Sequence, residues 1–297
     1  MGWFSWRRKR GQEATARQPE HPSAFLDGRR YLADAPYMLP KDEGEINRLD
    51  FQHYMLRYAL SGNYAAPIQF PASVLDVGCG TGRWPVEMAR EFPGASVTGL
   101  DLEQAPETGA ALLGKPENYT FVAGDILRGL PFADASFDFV HQRLLMGAIP
   151  GSRWPEVVRE LARVTRPGGW VELVEAAPAL GGGPALATLN RWMHEATVRR
   201  GIDVLVCHRL PALLQSAGLT NGDGRELNLP MGRSGGRMGT MAEAQYISLF
   251  QGLRGMIVGQ GIMDGPSFDE TLARAREEMS LTECVSPYYV AYAQRPA

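Results

Sequence analysis

The sequence predicts an α/β protein built on a doubly wound, seven-stranded, mostly parallel sheet, and three observations carry that prediction. Residues 74–82 read Val-Leu-Asp-Val-Gly-Cys-Gly-Thr-Gly, an apolar strand that stops at glycines spaced by two, Gly78, Gly80 and Gly82. Short apolar segments then alternate with helical ones through residue 176, the rhythm of parallel strands joined by crossover helices. Acids stand at the ends of the first three strands: Asp76, Asp101 and Asp125.

The elements follow in order. Residues 1–23 read as a disordered tail. Residues 24–72 read as an N-terminal helical segment, because 46–60 place Leu49, Tyr54 or His53, Leu56 and Leu60 near one stripe, and Pro67 and Pro71 end the region. Strand Ser73–Val77 leads to a helix over 84–92, and a strand over 96–100 closes at Asp101. A helix over 106–113 and strand Tyr119–Ala123 come next, ending at Gly124-Asp125. A strand over 137–141, helix Trp154–Val164 and, after Arg166-Pro-Gly-Gly, a strand over 169–176 complete a core of residues 73–177. Beyond Ala177 the rhythm changes at a hinge-like Gly181-Gly-Gly-Pro. Residues 185–201 and 210–217 read as helices, 225–229 as a strand, 232–239 as a glycine- and arginine-rich loop, 241–258 and 267–279 as helices, and 288–293 as the final strand. Residues 178–297 are therefore expected to form a helical cap inserted before the last strand, plus closing edge strands.

Glycine tolerates positive φ and lets backbone approach a ligand closely, so the loop 78–82 makes a ledge that opens onto a helix N-terminus. A dinucleotide fingerprint needs a third glycine where Arg83 stands, and no Gly-Lys-Ser/Thr follows for phosphate cradling. Ligands of open α/β sheets sit beyond the carboxyl ends of the strands. There Asp101 can accept both hydroxyls of a ribose. Asp125 can accept from an exocyclic adenine amine, with Ile126 lending its backbone and apolar flank. Each acid could instead cap the helix that follows it, and the glycine turn could be a tight turn without a ligand. Three successive strands ending in this way favour the ligand.

These segments resemble, in order, the motifs of the class I S-adenosylmethionine (SAM) methyltransferases, whose fold is Rossmann-like: 74–82, Val97-Thr-Gly-Leu-Asp-Leu, Phe121-Val-Ala-Gly-Asp-Ile, Ser136-Phe-Asp-Phe-Val-His and Arg163-Val-Thr-Arg-Pro-Gly-Gly-Trp-Val-Glu-Leu. Upstream, Tyr37-Met-Leu-Pro-Lys-Asp-Glu-Gly-Glu-Ile-Asn-Arg-Leu-Asp-Phe-Gln-His is similar to the corresponding segment of LaeA-like methyltransferases, with Lys41 where asparagine is common. The resemblance implies SAM as cofactor, bound by Asp76, Gly78, Cys79, Gly80, Asp101, Leu102, Asp125, Ile126 and His141. It also implies that the N-terminal helix folds over the cofactor. Arg48 then pairs with the methionyl carboxylate or holds Glu43 or Glu45 in a structural ion pair.

Methyl transfer needs proximity, alignment and a dry site, and a base only where the acceptor is protonated. His141 ends the fourth strand, the position that faces the transferable methyl in this fold, and His53 is the second candidate base. His141 can equally hydrogen-bond backbone or contact SAM. Arg143 can orient an anionic acceptor or support the sheet edge. Trp192, Met193, Met241, Tyr246, Phe250, Met256 and Met263 suggest an adaptable apolar lining for the acceptor or, alternatively, helix-packing core. Arg225, Arg233 and Arg237 could clamp a carboxylate or phosphate.

The expected activity is transfer of a methyl group to a small or medium organic acceptor, a specialised metabolite, with O-methylation foremost. The alternatives are a SAM-binding regulator or scaffold, and a SAM-fold enzyme with different chemistry. With 297 residues, 44% hydrophobic, a net charge of −3 and an isoelectric point near 6.0, the chain can bury a core and has no global attraction to nucleic acid. Cys79, Cys207 and Cys284 form neither a disulfide framework nor a metal-ligand spacing, so a reduced, cytoplasmic setting is expected. Residues 1–10 place three aromatics before four cations, the reverse of a secretory signal. No stretch is long enough for a membrane span, which leaves at most weak peripheral association of that tail.

Overall fold

The computed structural model describes residues 22–104 and 114–297; the expected helix over 106–113 and residues 1–21 of the expected tail lie outside them. The first described elements correct the expectation of helix throughout 24–72. Strands β1 (Ser23–Leu26) and β2 (Arg29–Leu32) form an antiparallel hairpin. Its turn residues, Asp27 and Gly28, both have positive φ, at 53° and 74°, which an Asp-Gly pair accommodates. Helix α1 (Glu43–Leu60) follows and is capped by the Asp42 carboxylate, which accepts from the Glu45 amide at 3.0 Å and pairs with Arg29.

The main sheet runs in the order β5 (Tyr119–Ala123), β4 (Ser96–Asp101), β3 (Ser73–Val77), β6 (Phe137–Arg143), β7 (Thr165–Ala176) and β10 (Cys284–Gln294). Both β9 (Thr220–Pro230) and the two-residue β8 (Leu180–Gly181) pair with β10. Strands β3 to β7 are parallel, whereas β10 is antiparallel to each of its neighbours. The expected seven strands are therefore present, with β8 in addition. The last strand is not the closing edge, however: β10 slots between β7 and β9, and β9 takes the outer position. The outer strand also begins earlier than the segment 225–229, because its first residues are exposed and polar and carry no apolar alternation.

Parallel strands covered on both faces read as continuous apolar runs, and every residue of β3 is buried. Val74 and Phe139 pack against Trp84 and Met88 of α2 (Arg83–Glu91). Leu75, Val77, Val140 and Val171 face α3 (Trp154–Val164) and α5 (Leu210–Ser216) on the other side. Side-chain alternation puts Asp76 on the same face as Val74. Register then aligns Asp76, His141 and Glu172 as direct neighbours across β3, β6 and β7.

The cap consists of α4 (Gly183–Val198), α6 (Gly236–Gly259) and α7 (Gly265–Leu281), packed onto α1 through Met55 and Leu56. Trp192, Met193, Tyr246, Phe250 and Met256 are buried in its centre, with Met241 and Met263 packed against them. The expected acceptor lining is thus helix-packing core. In the glycine-rich loop, a side chain at Gly239 would collide with the Gly232 carbonyl, so glycine lets the start of α6 lie directly on backbone. Arg233 and Arg237 do not converge with Arg225 on an anion site: Arg237 covers the Tyr58 ring and Arg225 belongs to β9.

One loop links sheet and site. After β6, Leu144 takes a positive φ of 59°, and the amides of Leu145 and Met146 donate to the Glu175 carboxylate of β7 at 2.8 and 3.2 Å. Burial pushes the Glu175 carboxyl up from 4.5 to about 8, although both amides act to lower it. Between those values the folded chain holds a proton that the unfolded chain has released. The stabilisation is therefore complete below about 4.5 and is lost as pH rises through about 8. Urea unfolding across that window should show stability falling by up to ~1.4 kcal/mol per pH unit from this group. Glu175→Gln should flatten that part of the profile, and superimposable profiles for the two proteins would refute the assignment.

Candidate functional site

A cleft of about 1330 Å³, counting its open mouth, lies at the carboxyl ends of β3, β4 and β6 and beside Asp125, just beyond β5. Asp76 lines it from β3. Its carboxylate is buried and accepts from His141 Nδ1 at 2.8 Å. The His141 ring stacks on Trp84, with centroids 3.9 Å apart and planes within 4°, and it is 1% exposed. His141 therefore stands behind the cleft wall and holds Asp76. The expectation that it faces the methyl as a base is corrected, because alternation along β6 aims it at α2.

The glycine ledge has the form read from the sequence. Gly78, Gly80 and Gly82 have φ of 72°, 55° and 75°, and a side chain at Gly78 would run into Leu145. Both Gly78 and Cys79 donate their amides to the Leu100 carbonyl, at 2.7 and 3.0 Å. Asp101 ties the ledge to β4 by accepting from the Gly80 amide and from its neighbour Leu102, each at 2.8 Å, with Lys41 Nζ 3.5 Å from Oδ1. Gly78, Cys79, Gly80, Asp101, Leu102, Asp125 and Ile126 all line the cleft. Burial pushes the Cys79 thiol well above its ordinary range, so it serves as a small apolar wall. Asp125 also acts as a cap, accepting from the Leu127 amide at 2.9 Å at the start of a short 3₁₀ turn, so lining and capping coexist there.

The segment between β2 and α1 crosses the mouth and contributes Asp34, Tyr37 and Lys41 to the lining. Arg48 supports it from outside. Its guanidinium forms a bidentate pair with Glu45 at 2.8 and 2.6 Å, and Glu45 in turn accepts from the Tyr37 hydroxyl at 3.3 Å. Of the two sequence readings for Arg48, the structural ion pair is the one present. Arg48 lines a separate shallow pocket with Arg29 and Asp42 rather than the cleft, because it points to the side of α1 away from the ledge.

His53 does line the cleft, but its Nδ1 is occupied. Nδ1 accepts from Arg143 Nη2 at 3.1 Å, and Nε2 lies 3.3 Å from Glu87 on α2. Burial is the main cause of a lowered His53 pKa, with the Arg143 charge in the same sense and Glu87 opposing. A neutral ring whose lone pair is engaged by a guanidinium is not a free base. The residues missed by sequence reasoning are Tyr37, Lys41 and Gln52 in the lining and Glu87 behind it. The first three fall inside the quoted segment 37–53, which was the available signal. Nothing in the sequence marked Glu87.

Residues 74–169 match the family model of a methyltransferase domain. The secondary metabolism regulator LAE1 of Cochliobolus heterostrophus is 32% identical over 197 residues, which are 61% of this chain and 62% of that protein. The N-methyltransferase verN of Clonostachys rogersoniana is 34% identical over 148 residues, 48% of this chain and 51% of that one. The chain thus spans less than two thirds of these relatives. Among solved structures, Haemonchus contortus phosphoethanolamine N-methyltransferase 2 in complex with SAM shares the fold, with a TM-score of 0.51 and 15% identity over 84% of this chain and 57% of that one. Residues 74–169 thus form a methyltransferase domain on a Rossmann-like fold, and SAM is the cofactor that such a domain takes. Among curated proteins the chain is similar to LaeA-type regulators, at 32–35% identity.

Two outcomes follow from this geometry. Asp101→Ala should weaken S-adenosylhomocysteine binding by on the order of 2 kcal/mol in calorimetry, since a charged acceptor is lost; unchanged affinity would remove Asp101 from the site. His141→Phe deprives Asp76 of its buried donor and should lower the melting temperature. A full loss of turnover at an unchanged melting temperature would restore His141 as a base.

Proposed function

We propose that the chain transfers a methyl group from SAM to a small or medium-sized organic acceptor of specialised metabolism. The observation that carries this reading is the pair Asp76 and Asp101, set on either side of one glycine ledge in one cleft. Asp101 would take the ribose hydroxyls, Asp76 the α-ammonium, and Asp125 with Ile126 and Leu102 the adenine. Bound SAM supplies a methyl group on a sulfonium, open to in-line attack. In this reading residues 73–177 hold the cofactor, 24–72 cover it, and 178–297 brace the cover. Arg48 contributes through the Tyr37 segment, and His141 through Asp76.

Chemistry at the acceptor narrows with the Nδ1 of His53 engaged by Arg143 and His141 set behind the wall. Among the described residues of the cleft, no histidine offers a free lone pair. The geometry therefore favours an acceptor atom that already carries one at working pH: an unprotonated amine, a thioether or an acidic oxygen. O-methylation is then confined to oxygens of low pKa. The buried free thiols of Cys79, Cys207 and Cys284 suit the reducing cytoplasm. With no free histidine among the described residues of the cleft, a second reading is a SAM-binding regulator of the kind that the name of LAE1 describes.

Incubation with SAM and fractionated metabolite extracts tests the proposal by mass spectrometry. The expected result is S-adenosylhomocysteine formed in step with a product one methylene heavier than its precursor. Tight binding of S-adenosylhomocysteine without transfer to any fraction would overturn it in favour of the regulator.

A further inference from the structure

Arg143, the last residue of β6, lines the cleft, yet among the described residues it enters no ion pair. Its Nη2 donates to His53, while its Nη1 is shut off from solvent and has no hydrogen-bond partner. The acids whose charges act on it are committed elsewhere. Asp76 holds His141. Glu172 Oε2 accepts the amides of Ala65 and Ala66 at 2.8 and 2.6 Å. Glu87 lies 3.3 Å from His53 and 3.2 Å from Arg57. A guanidinium cannot shed its proton, and a buried one without a counter-ion is strongly unfavourable unless a ligand supplies the charge.

Resting on the cofactor reading of this cleft, we propose that Arg143 is a carboxylate receptor and that His53 is its positioning residue. Neutral His53 fixes the fork: its Nδ1 accepts a hydrogen bond from Arg143, its Nε2 side faces Glu87, and the guanidinium edge that lines the cleft remains for the ligand. The surrounding Asp76, Glu172 and Glu87 disfavour a dianion such as phosphate and suit a monoanionic carboxylate. Guanidinium binds carboxylate through paired, charge-assisted hydrogen bonds. Such a carboxylate has two sources, the methionyl end of the cofactor and an acid group on the acceptor. The role that the sequence offered to Arg48 passes to Arg143, because Arg48 is paired with Glu45.

Calorimetry on the full chain separates the sources by comparing S-adenosylhomocysteine with 5′-methylthioadenosine, the same nucleoside without the amino acid. If the cofactor is the source, Arg143→Gln weakens S-adenosylhomocysteine at least tenfold and leaves 5′-methylthioadenosine unchanged. If the acceptor is the source, both nucleosides bind unchanged. Benzoate, but not benzamide, then raises the melting temperature of the S-adenosylhomocysteine complex, and Arg143→Gln abolishes that shift. Retained 5′-methylthioadenosine binding certifies the fold of the variant. Should Arg143→Gln fail to fold, Arg143→Lys keeps the charge without the fork and should give a several-fold weakening in the same arm. His53→Leu should act only while Arg143 is present, so its effect should vanish in the double variant. Equal responses of wild type and Arg143 variants in both arms would overturn the receptor. Failure of the wild-type chain to bind either nucleoside would instead overturn the cofactor reading itself.

Discussion

Ionisable side chains buried side by side across three parallel strands need partners other than water, and the architecture of the site follows from that demand. Register sets Asp76, His141 and Glu172 side by side across β3, β6 and β7, on the face that α2 covers. A buried carboxylate needs donors. Asp76 finds one in His141, and Glu172 finds two in the backbone at Ala65 and Ala66. Trp84 closes the stack over His141 while its indole nitrogen donates to the Asn63 carbonyl at 2.6 Å. The turn after α1 is therefore fastened to the sheet by the same set of groups that orients Asp76. Cofactor geometry and the docking of the N-terminal segment are one packing problem.

The mouth of the cleft obeys similar logic at lower burial. Asp101 accepts the Gly80 amide of the ledge and the adjacent Leu102 amide and still lies near Lys41, so the crossing segment and the glycine turn meet on one carboxylate. Arg48, Glu45 and Tyr37 brace that segment from behind. The cap contributes a floor for α1 rather than a lining, because its aromatic and methionine side chains fill the space between α4, α6 and α7. Gln52, Arg143 and Leu144 line the cleft itself, where the proposed acceptor would meet them.

Much of the core was legible because strand and helix alternate there with clear apolar runs and punctuation. Ser73–Val77, Tyr119–Ala123 and Trp154–Val164 fall where periodicity put them. Three kinds of feature were not legible. The hairpin at Ser23–Leu32 is too short to show a period, and its Asp-Gly turn was overshadowed by the helical stripe that follows. The place of β10 inside the sheet depends on long-range pairing with β9, which local pattern does not encode. Side-chain direction was the third. His141 and Arg48 have the right residue types at the right strand end and helix, yet alternation along β6 and a neighbouring Glu45 turn both away from the cleft. By contrast Asp76, Asp101 and Asp125 reach the lining because their places are set by strand ends, which the sequence marks clearly.

A crystal structure of the chain with S-adenosylhomocysteine tests the central claim most directly. The account requires the ribose hydroxyls within hydrogen-bond distance of Asp101 and the α-ammonium on Asp76, with His141 still stacked beneath Trp84. A nucleoside seated elsewhere, or one in this cleft that touches neither carboxylate, would contradict it.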